Sequence, residues 1–331
     1  MKWGKRIQYW AAWVAGVAFC AGAAQAGQAV TFNLAWVPQG STAGVLVAID
    51  KGFYRDVGLD VTAVRGYGGN RTVNEVDRGA FQFGYGDPVS VSLNRANGGQ
   101  TRMVGAINTR WPAGLCYVEE NTKATSLKDL AGKRLGGGAG SPVQNIAPAW
   151  LEKNKLPRDY LRLVQMDPSV VDLSLIQGRI DLAECWRGSN RAVIQKDARQ
   201  AKLTLRAIEY ADYGLDIYGN GIVTSDELIR KDPEMIRKFV QATYKGYDYL
   251  VAHQKETVDI IAKQYPMLDR DVLTQQVSET ADLIVDKTAS KKSLGWMSPD
   301  RMNKTAAFID SAFRLGGKVK SEDIYTDAFF D

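Results

Sequence analysis

The sequence predicts an α/β protein made of two sheet-bearing units and a helical tail. Three observations predict it. Between residues 30 and 108, short apolar runs alternate with amphipathic stretches, as strands and helices taken in turn would. A second set of the same kind and similar length begins after the extended segment WPAGLCYVEEN. From residue 226 onward the periodicity is mostly helical.

In the first unit, VTFNLAW (30–36) reads as a strand, and TAGVLVAIDKGFYRDVG (42–58) carries helical periodicity that stops at Gly58. LDVTAV (59–64) is a strand and RTVNEVDRG a helix. AFQFGYG (80–86) is a strand, PVSVSLNRANGG a helix closed by glycines, and RMVGAIN (102–108) a strand. This order predicts a parallel sheet with helices on both faces. In the second unit, SLKDLAG is a short helix, KRLGGG a strand, SPVQNIAPAWLEKN a helix, YLRLVQM a strand, SVVDLSLIQG a helix and RIDLAEC a strand; AVIQKDARQA and LTLRAIEY continue the pattern. Tail helices are expected at 226–252, 255–264, 270–285 and 298–314. Two extended segments, near 112–118 and 217–224, join the units, and ligand-driven closure is expected to bend the chain there.

Residues 1–26 stand apart. Lys2, Lys5 and Arg6 precede an apolar run over 11–24, and Ala24-Gln25-Ala26 follows as a small-x-small cleavage pattern. This is the signature of a cleaved secretory signal peptide, and the run is short for a membrane span. Phe19 before Cys20 argues against a lipoprotein site. Without 1–26 the net charge falls from +5 to +2, which gives no reason to expect nucleic acid as a partner. Composition is that of an ordinary globular chain, 45% hydrophobic and 24% charged.

The remaining chain holds two cysteines, Cys116 and Cys185, and one histidine, His253. That excludes a Cys/His zinc set, and no metal or cofactor is expected. A Ser-His-Asp or Cys-His centre would have to use His253. It sits in GYDYLVAHQKETV, an amphipathic helical stretch, where a surface position is the better expectation. The protein is therefore not expected to be an enzyme.

Ligands of open α/β sheets bind beyond the carboxyl ends of the strands. The loops there offer Trp36 and Gln39, Tyr67 within GYGGN, Asp87, Asn108 with Arg110 and Trp111, Gly138 and Ser141 within GGGAGS, Asp167, and Glu184 with Trp186 and Arg187. Aromatic faces and sparse polar groups suit a small flat ligand. Each has a plainer alternative. Asp87-Pro88 and Ser141-Pro142 fit helix caps with proline at N1, and tryptophans are often core. GGGAGS lacks the Lys of a Walker loop and the spacing of a dinucleotide fingerprint. In RIDLAECWRGSNR, a strand over 180–183 runs straight into Glu184, Cys185, Trp186 and Arg187. A buried Glu is costly unless paired. A ligand amine or ring N–H would pair it, and so would Arg187 or Arg191.

Four stretches carry a family resemblance: FNLAWVPQGSTAGVLVAIDKGFYRDVGLDVT, SLKDLAGKRLGGGAGSP, LIQGRIDLAE and GNGIVTSDELIRKDPEMIRKFVQATYKGYDYL. In order and over essentially all of 30–330, they resemble the substrate-binding proteins of ABC importers for nitrate, sulfonates and thiamine-precursor pyrimidines. The resemblance implies a type II periplasmic-binding-protein fold, with lobe 1 from 27–113 and 224–331 and lobe 2 from 114–223. Two crossovers would join the lobes around a ligand cleft. It further implies a periplasmic, non-enzymatic monomer that hands its ligand to an ABC permease. AWVPQGSTAG is similar to the pyrimidine-precursor branch, where a Trp in this loop lines the site; Trp36 takes that role here. Yeast-type pyrimidine synthases share the fold but use a histidine and a cysteine-rich motif, and this chain has no cysteine-rich motif. The family fold also sets the strand AGLCYVEE antiparallel to RIDLAEC, which makes Cys116 and Cys185 neighbours, either bridged or as two buried thiols. The expected ligand is a small heteroaromatic such as an aminopyrimidine, held by Trp36, Gln39, Tyr67, Asp87, Asn108, Gly138, Ser141, Glu184 and Trp186. The alternative is an oxyanion, a sulfonate, nitrate or aromatic carboxylate, held by Arg110, Arg187 and the helix start at 138–141. A secreted enzyme and a sensor module are less supported.

Overall fold

The structure, a computed structural model, describes Met1 and residues 27–138, 141, 143–288 and 293–330. Apart from Met1, the expected leader at 1–26, with Cys20, lies outside the described residues.

The first sheet contains β1 (Gln28–Asn33), β2 (Leu59–Val64), β3 (Phe83–Gly86), β4 (Thr101–Ala106) and a late strand, β10 (Gly221–Ser225), in the order β2-β1-β3-β10-β4. The second contains β5 (Ala113–Val118), β6 (Arg134–Gly138), β7 (Arg162–Met166), β8 (Leu182–Trp186) and β9 (Leu205–Glu209), in the order β7-β6-β8-β5-β9. The helices are α1 (Ala43–Asp50), α2 (Gly69–Asp77), α3 (Pro88–Ala96), α4 (Val143–Lys153), α5 (Pro168–Ile176), α6 (Asn190–Gln200), α7 (Asp226–Lys231), α8 (Pro233–Ala252), α9 (Gln254–Gln264), α10 (Arg270–Ile284), α11 (Pro299–Phe313) and α12 (Ser321–Ile324).

Neither sheet is purely parallel: the strand–helix alternation did not indicate this, whereas the antiparallel pairing of AGLCYVEE with RIDLAEC that the family resemblance implied is present. β10 runs antiparallel to both β3 and β4, and β5 runs antiparallel to both β8 and β9. The reason is topological. A strand that arrives from the other sheet enters at the carboxyl ends of its neighbours and must run back along them. The passages between sheets therefore lie between β4 and β5 and between β9 and β10. Of the expected bending segments, 113–118 falls inside β5 and 221–224 inside β10, where bending would break the ladders, while 217–220 lies in the passage before β10.

Local chemistry shortens several expected elements. β1 stops at Asn33 rather than at residue 36, because Ala35 adopts a left-handed backbone (φ 60). The Asn33 side chain accepts the Ala35 N–H at 2.9 Å. The stretch 42–58 breaks after Asp50 at Gly52, whose φ is +75. The tail helix expected over 226–252 is two helices. Asp232, before Pro233, leaves the helical region (φ −146, ψ 66) and caps α8 through the Met235 N–H at 3.0 Å. His253 lies between α8 and α9, exposed, its ring 4.3 Å from that of Tyr249.

In one core of the first lobe Phe239 of α8 stacks on Phe83 at 3.8 Å and on Tyr54 at 5.1 Å, and a smaller cluster there gathers Val73, Val91, Met103 and Val223. A second core centres on Trp111, Trp150 and Tyr210 and includes Ile309 of α11. The tail does not return to the first lobe alone: α11 packs against α4 of the second sheet as well as against α3.

Cys116 and Cys185 are joined by a disulfide between β5 and β8, with Cα atoms 5.7 Å apart. The two strands pair Gly114 with Cys185 and Cys116 with Ala183, so the cysteines sit diagonally on one face. The bridge closes a loop across a separation of 69 residues. Replacing both cysteines by Ala is expected to lower the unfolding free energy by about 2–4 kcal/mol, as read by denaturant unfolding. An unchanged midpoint would show that the bridge adds nothing.

Candidate functional site

A cavity of about 480 Å³ lies between the two sheets. From the first lobe it receives the turn after β1, the loop into α2, the ends of β3 and β4, and Asn220 just before β10. From the second it receives the end of β6, the first turns of α5, the end of β8 and the start of α6. The nine residues expected to hold a heteroaromatic ligand all line this one cavity: Trp36, Gln39, Tyr67, Asp87, Asn108, Gly138, Ser141, Glu184 and Trp186.

Glu184 lies within β8, not beyond its end as the sequence suggested. Strand alternation turns Ala183 and Cys185 into a small apolar core with Cys116, and turns Leu182, Glu184 and Trp186 to the opposite face. Glu184 is 8% exposed. Its Oε2 accepts the Ser141 hydroxyl at 2.5 Å, while its Oε1 is buried with no hydrogen-bond partner among the described residues. Neither Arg187 nor Arg191 pairs with it: Arg187 binds Asp282 at 2.7 Å, and Arg191 binds Glu209. Burial pushes the Glu184 carboxyl up to about 8, against the Ser141 hydrogen bond and with the Asp87 charge adding to the rise.

Asp87 does two jobs. Its side chain caps α3, accepting the Ser90 N–H at 2.9 Å and the Ser90 hydroxyl at 2.6 Å, and it also lines the cavity. Burial raises its pKa as well. Asn108 donates to Tyr85 Oη at 3.1 Å and to Asn220 Oδ1 at 3.3 Å. Its own Oδ1 is buried without a partner among the described residues. Each lobe thus contributes one unsatisfied buried oxygen on a lining residue.

The aromatic residues divide. Trp36 and Tyr67 are 38% and 57% exposed at the mouth. The Arg65 guanidinium sits 5.0 Å from the Tyr67 ring centre and 6.0 Å from that of Trp36. Trp186 lines the wall deeper in. Trp111, expected near the cleft, is core: it is fully buried and backs Trp186 with ring centres 5.2 Å apart. Arg110 is also absent from the wall and binds Asp282 at 2.6 Å. With Arg187 on the same carboxylate, both arginines of the oxyanion alternative are engaged elsewhere. Asp167 is not on the wall either; it caps α5.

The turn after β1 is held by close backbone approach. The Gly68 N–H donates to Ala35 O at 2.6 Å, and a Cβ on Gly66 would fall 2.2 Å from Asn33 Oδ1. The sequence reading missed Asp172, Asn190 and Asn220. Asp172 accepts from Asn190 at 3.1 Å, and burial pushes it up to about 6. Asp172 and Asn190 face the cavity from helices rather than from strand ends, so the strand-end rule passes over them. Asn220 sits just before β10, whose antiparallel place in the first sheet was not anticipated.

The site acts on stability through pH. Between 4.5 and about 8 the folded protein holds the Glu184 proton that the unfolded chain has released. Stability therefore falls as pH rises through that window and levels off above it. Glu184→Gln is expected to stabilise the ligand-free protein by on the order of 3 kcal/mol near pH 8 and by much less near pH 5. Urea unfolding at the two pH values checks it; equal effects would show Glu184 ionised throughout.

The sequence matches the NMT1/THI5-like family over residues 39–257. The riboflavin-binding protein RibY of Chloroflexus aurantiacus is 22% identical over 313 residues, covering 91% of this chain and 86% of RibY. The 4-amino-5-hydroxymethyl-2-methylpyrimidine phosphate synthase of Candida albicans is 24% identical over 255 residues, 75% of this chain and 74% of the synthase. Among solved structures, the periplasmic aliphatic sulphonate binding protein SsuA of Escherichia coli superposes with a TM-score of 0.71 at 14% identity, covering 92% of this chain and 99% of SsuA. Two α/β lobes around one cleft, with a family match over about two-thirds of the sequence, make this chain a periplasmic-binding-protein-like ligand binder belonging to the NMT1/THI5-like family.

Proposed function

We propose that this protein is an exported solute-binding protein that captures a small, flat, donor-bearing heteroaromatic compound of the aminopyrimidine type and hands it to an ABC import permease. The observation that carries the reading is the pair of unsatisfied buried acceptors, Glu184 Oε1 and Asn108 Oδ1, which line one cavity from different lobes. Buried acceptors without partners cost roughly 1–3 kcal/mol each. A ligand presenting N–H groups on two edges offsets that cost, whereas an oxyanion offers no donor and meets carboxyl groups. Trp186 and Trp36 supply aromatic faces for a ring between those edges. Gln39, Tyr67, Gly138 and Ser141 complete the proposed contacts.

Binding without catalysis is supported by the wall itself: His253, the chain's single histidine, is not part of it. Export is supported by the leader-like stretch at 1–26 and by the disulfide, which persists in oxidising compartments. The names of the riboflavin-binding and pyrimidine-synthesising relatives accord with a heteroaromatic ligand. We take the mature protein to be a monomer.

Native mass spectrometry of protein from its own host is expected to show one bound heteroaromatic molecule. A sulfonate, nitrate or aromatic carboxylate instead would overturn the ligand assignment. Trp186→Ala and Trp36→Ala are each expected to weaken binding of that compound by roughly 1–3 kcal/mol without loss of fold, by analogy with bases stacked on aromatic side chains. Isothermal titration with circular dichroism checks both. Unchanged affinity in both variants would remove the indoles from the site.

A further inference from the structure

Three carboxyl groups line the cavity, and in each case the hydrogen bonds come from neutral groups. Asp87 accepts from Ser90, Asp172 from Asn190 and Glu184 from Ser141. The cationic side chains on the wall are already engaged, Arg187 by Asp282 at 2.7 Å and Arg71 by Glu75 at 2.7 Å. A wall with buried acids and no cation committed to them is unusual, because a buried carboxylate without a positive or donating partner carries a large desolvation cost.

We propose that ligand capture is coupled to release of a proton from Glu184 to solvent, the ligand bringing a cationic N–C–N edge, as in an amidinium or a protonated aminopyrimidine, to Glu184 Oε1 in its place. This rests on the ligand reading above and adds the charge state of the exchange. The geometry decides which oxygen a ligand meets. Ser141 occupies Oε2 at 2.5 Å, which leaves Oε1 as the buried oxygen without a partner among the described residues. A cation held at Oε1 pairs with a carboxylate and not with a neutral acid. The proton therefore leaves as the cation binds.

The surroundings favour the neutral acid while the cavity is empty. Asp87 faces Glu184 from the first lobe and Asp172 from α5, both disfavouring a second negative charge. Tyr210, on the same side of the second sheet, is held neutral by burial and by Glu184 itself. Burial, the largest cause, places the Glu184 pKa near 8. A cation at Oε1 reverses the balance, because opposite charge at close range favours the carboxylate.

Linkage then gives the sign. If only the ionised form accepts the ligand, apparent affinity weakens about tenfold for each pH unit below about 8 and is flat above it. The test uses benzamidinium, a flat N–C–N cation whose charge does not change across this range, with benzenesulfonate as the opposing probe. Both are titrated calorimetrically into the whole mature protein from about pH 6 to pH 9, in buffers of different ionisation enthalpy. Benzamidinium is expected to bind with release of about one proton at pH 7. Glu184→Gln, checked for an intact thermal transition, is expected to abolish both the proton release and the pH dependence. Binding without net proton release, a pH dependence that survives in Glu184→Gln, or failure of benzamidinium to bind at any pH overturns the proposal. If the natural heteroaromatic ligand binds without releasing a proton, this coupling falls while the ligand reading stands. If benzenesulfonate binds in preference, the ligand reading falls as well.

Discussion

The antiparallel pairing of β5 with β8, stapled by Cys116–Cys185, is the constraint on which the site depends. β5 is the strand that carries the chain from the first lobe into the second, and it lies between the central strand β8 and the edge strand β9. Its register with β8 sets Leu115 opposite Glu184 and Ala113 opposite Trp186. Because side chains alternate along a strand, one choice of register puts the disulfide, Ala183 and Ile194 into one core and leaves Glu184 and Trp186 on the cleft side. A slip of one residue would bury the disulfide position in the cleft and turn the carboxyl into the apolar core. The staple makes such a slip impossible without breaking a covalent bond.

What surrounds that carboxyl runs against ordinary stability. Glu184 and Asp87 are buried without a cation, Asn108 keeps an unsatisfied oxygen, and Ala35 holds a left-handed backbone that favours glycine. These departures all lie on residues of the cavity wall. Elsewhere the first lobe follows the rules closely. Its sheet is covered by α8, whose Phe239 stacks against Phe32, Phe83 and Tyr54. Buried carboxyl groups without a cation, joined by an unsatisfied acceptor on Asn108, meet at this cleft inside a well-packed frame, as a preorganised binding site requires.

The same wall also joins the lobes. Directly after Trp186, Gly188 accepts the Ser41 N–H at 3.0 Å and donates to Glu279 at 2.7 Å. Ser189 donates to Gln39 at 2.7 Å and accepts from Gln276 at 2.8 Å. Gly188 is needed there: its φ is +73, and a Cβ would fall 2.7 Å from Thr280 Oγ1. A polar seam against α10 thus holds one flank, and the packing of α11 across α3 and α4 spans both lobes through apolar contact. Residues that face the cavity, Gln39, Ser41 and Ser189, are themselves part of the seam. Contact with a ligand and contact between lobes are therefore made by the same side chains.

The sequence by itself determined the alternation of strands and helices, the division into two sheet-bearing units and the strand ends where a ligand would sit. These follow from local periodicity, turn residues and the rule that α/β clefts form at carboxyl ends. It was also enough to single out nine residues that share one wall, since strand-end positions are legible from spacing. Tertiary structure alone decided the rest. That Trp111 is core while Trp186 faces the cavity depends on which side of β5 and β8 each indole emerges. That Arg110 and Arg187 serve Asp282 depends on a helix some 95 to 172 residues away in the chain. The antiparallel entry of β10, the wall positions of Asp172, Asn190 and Asn220, and the missing partner of Glu184 Oε1 are likewise non-local. A residue's type announces that it needs a partner; only the packing of distant segments determines whether it has one.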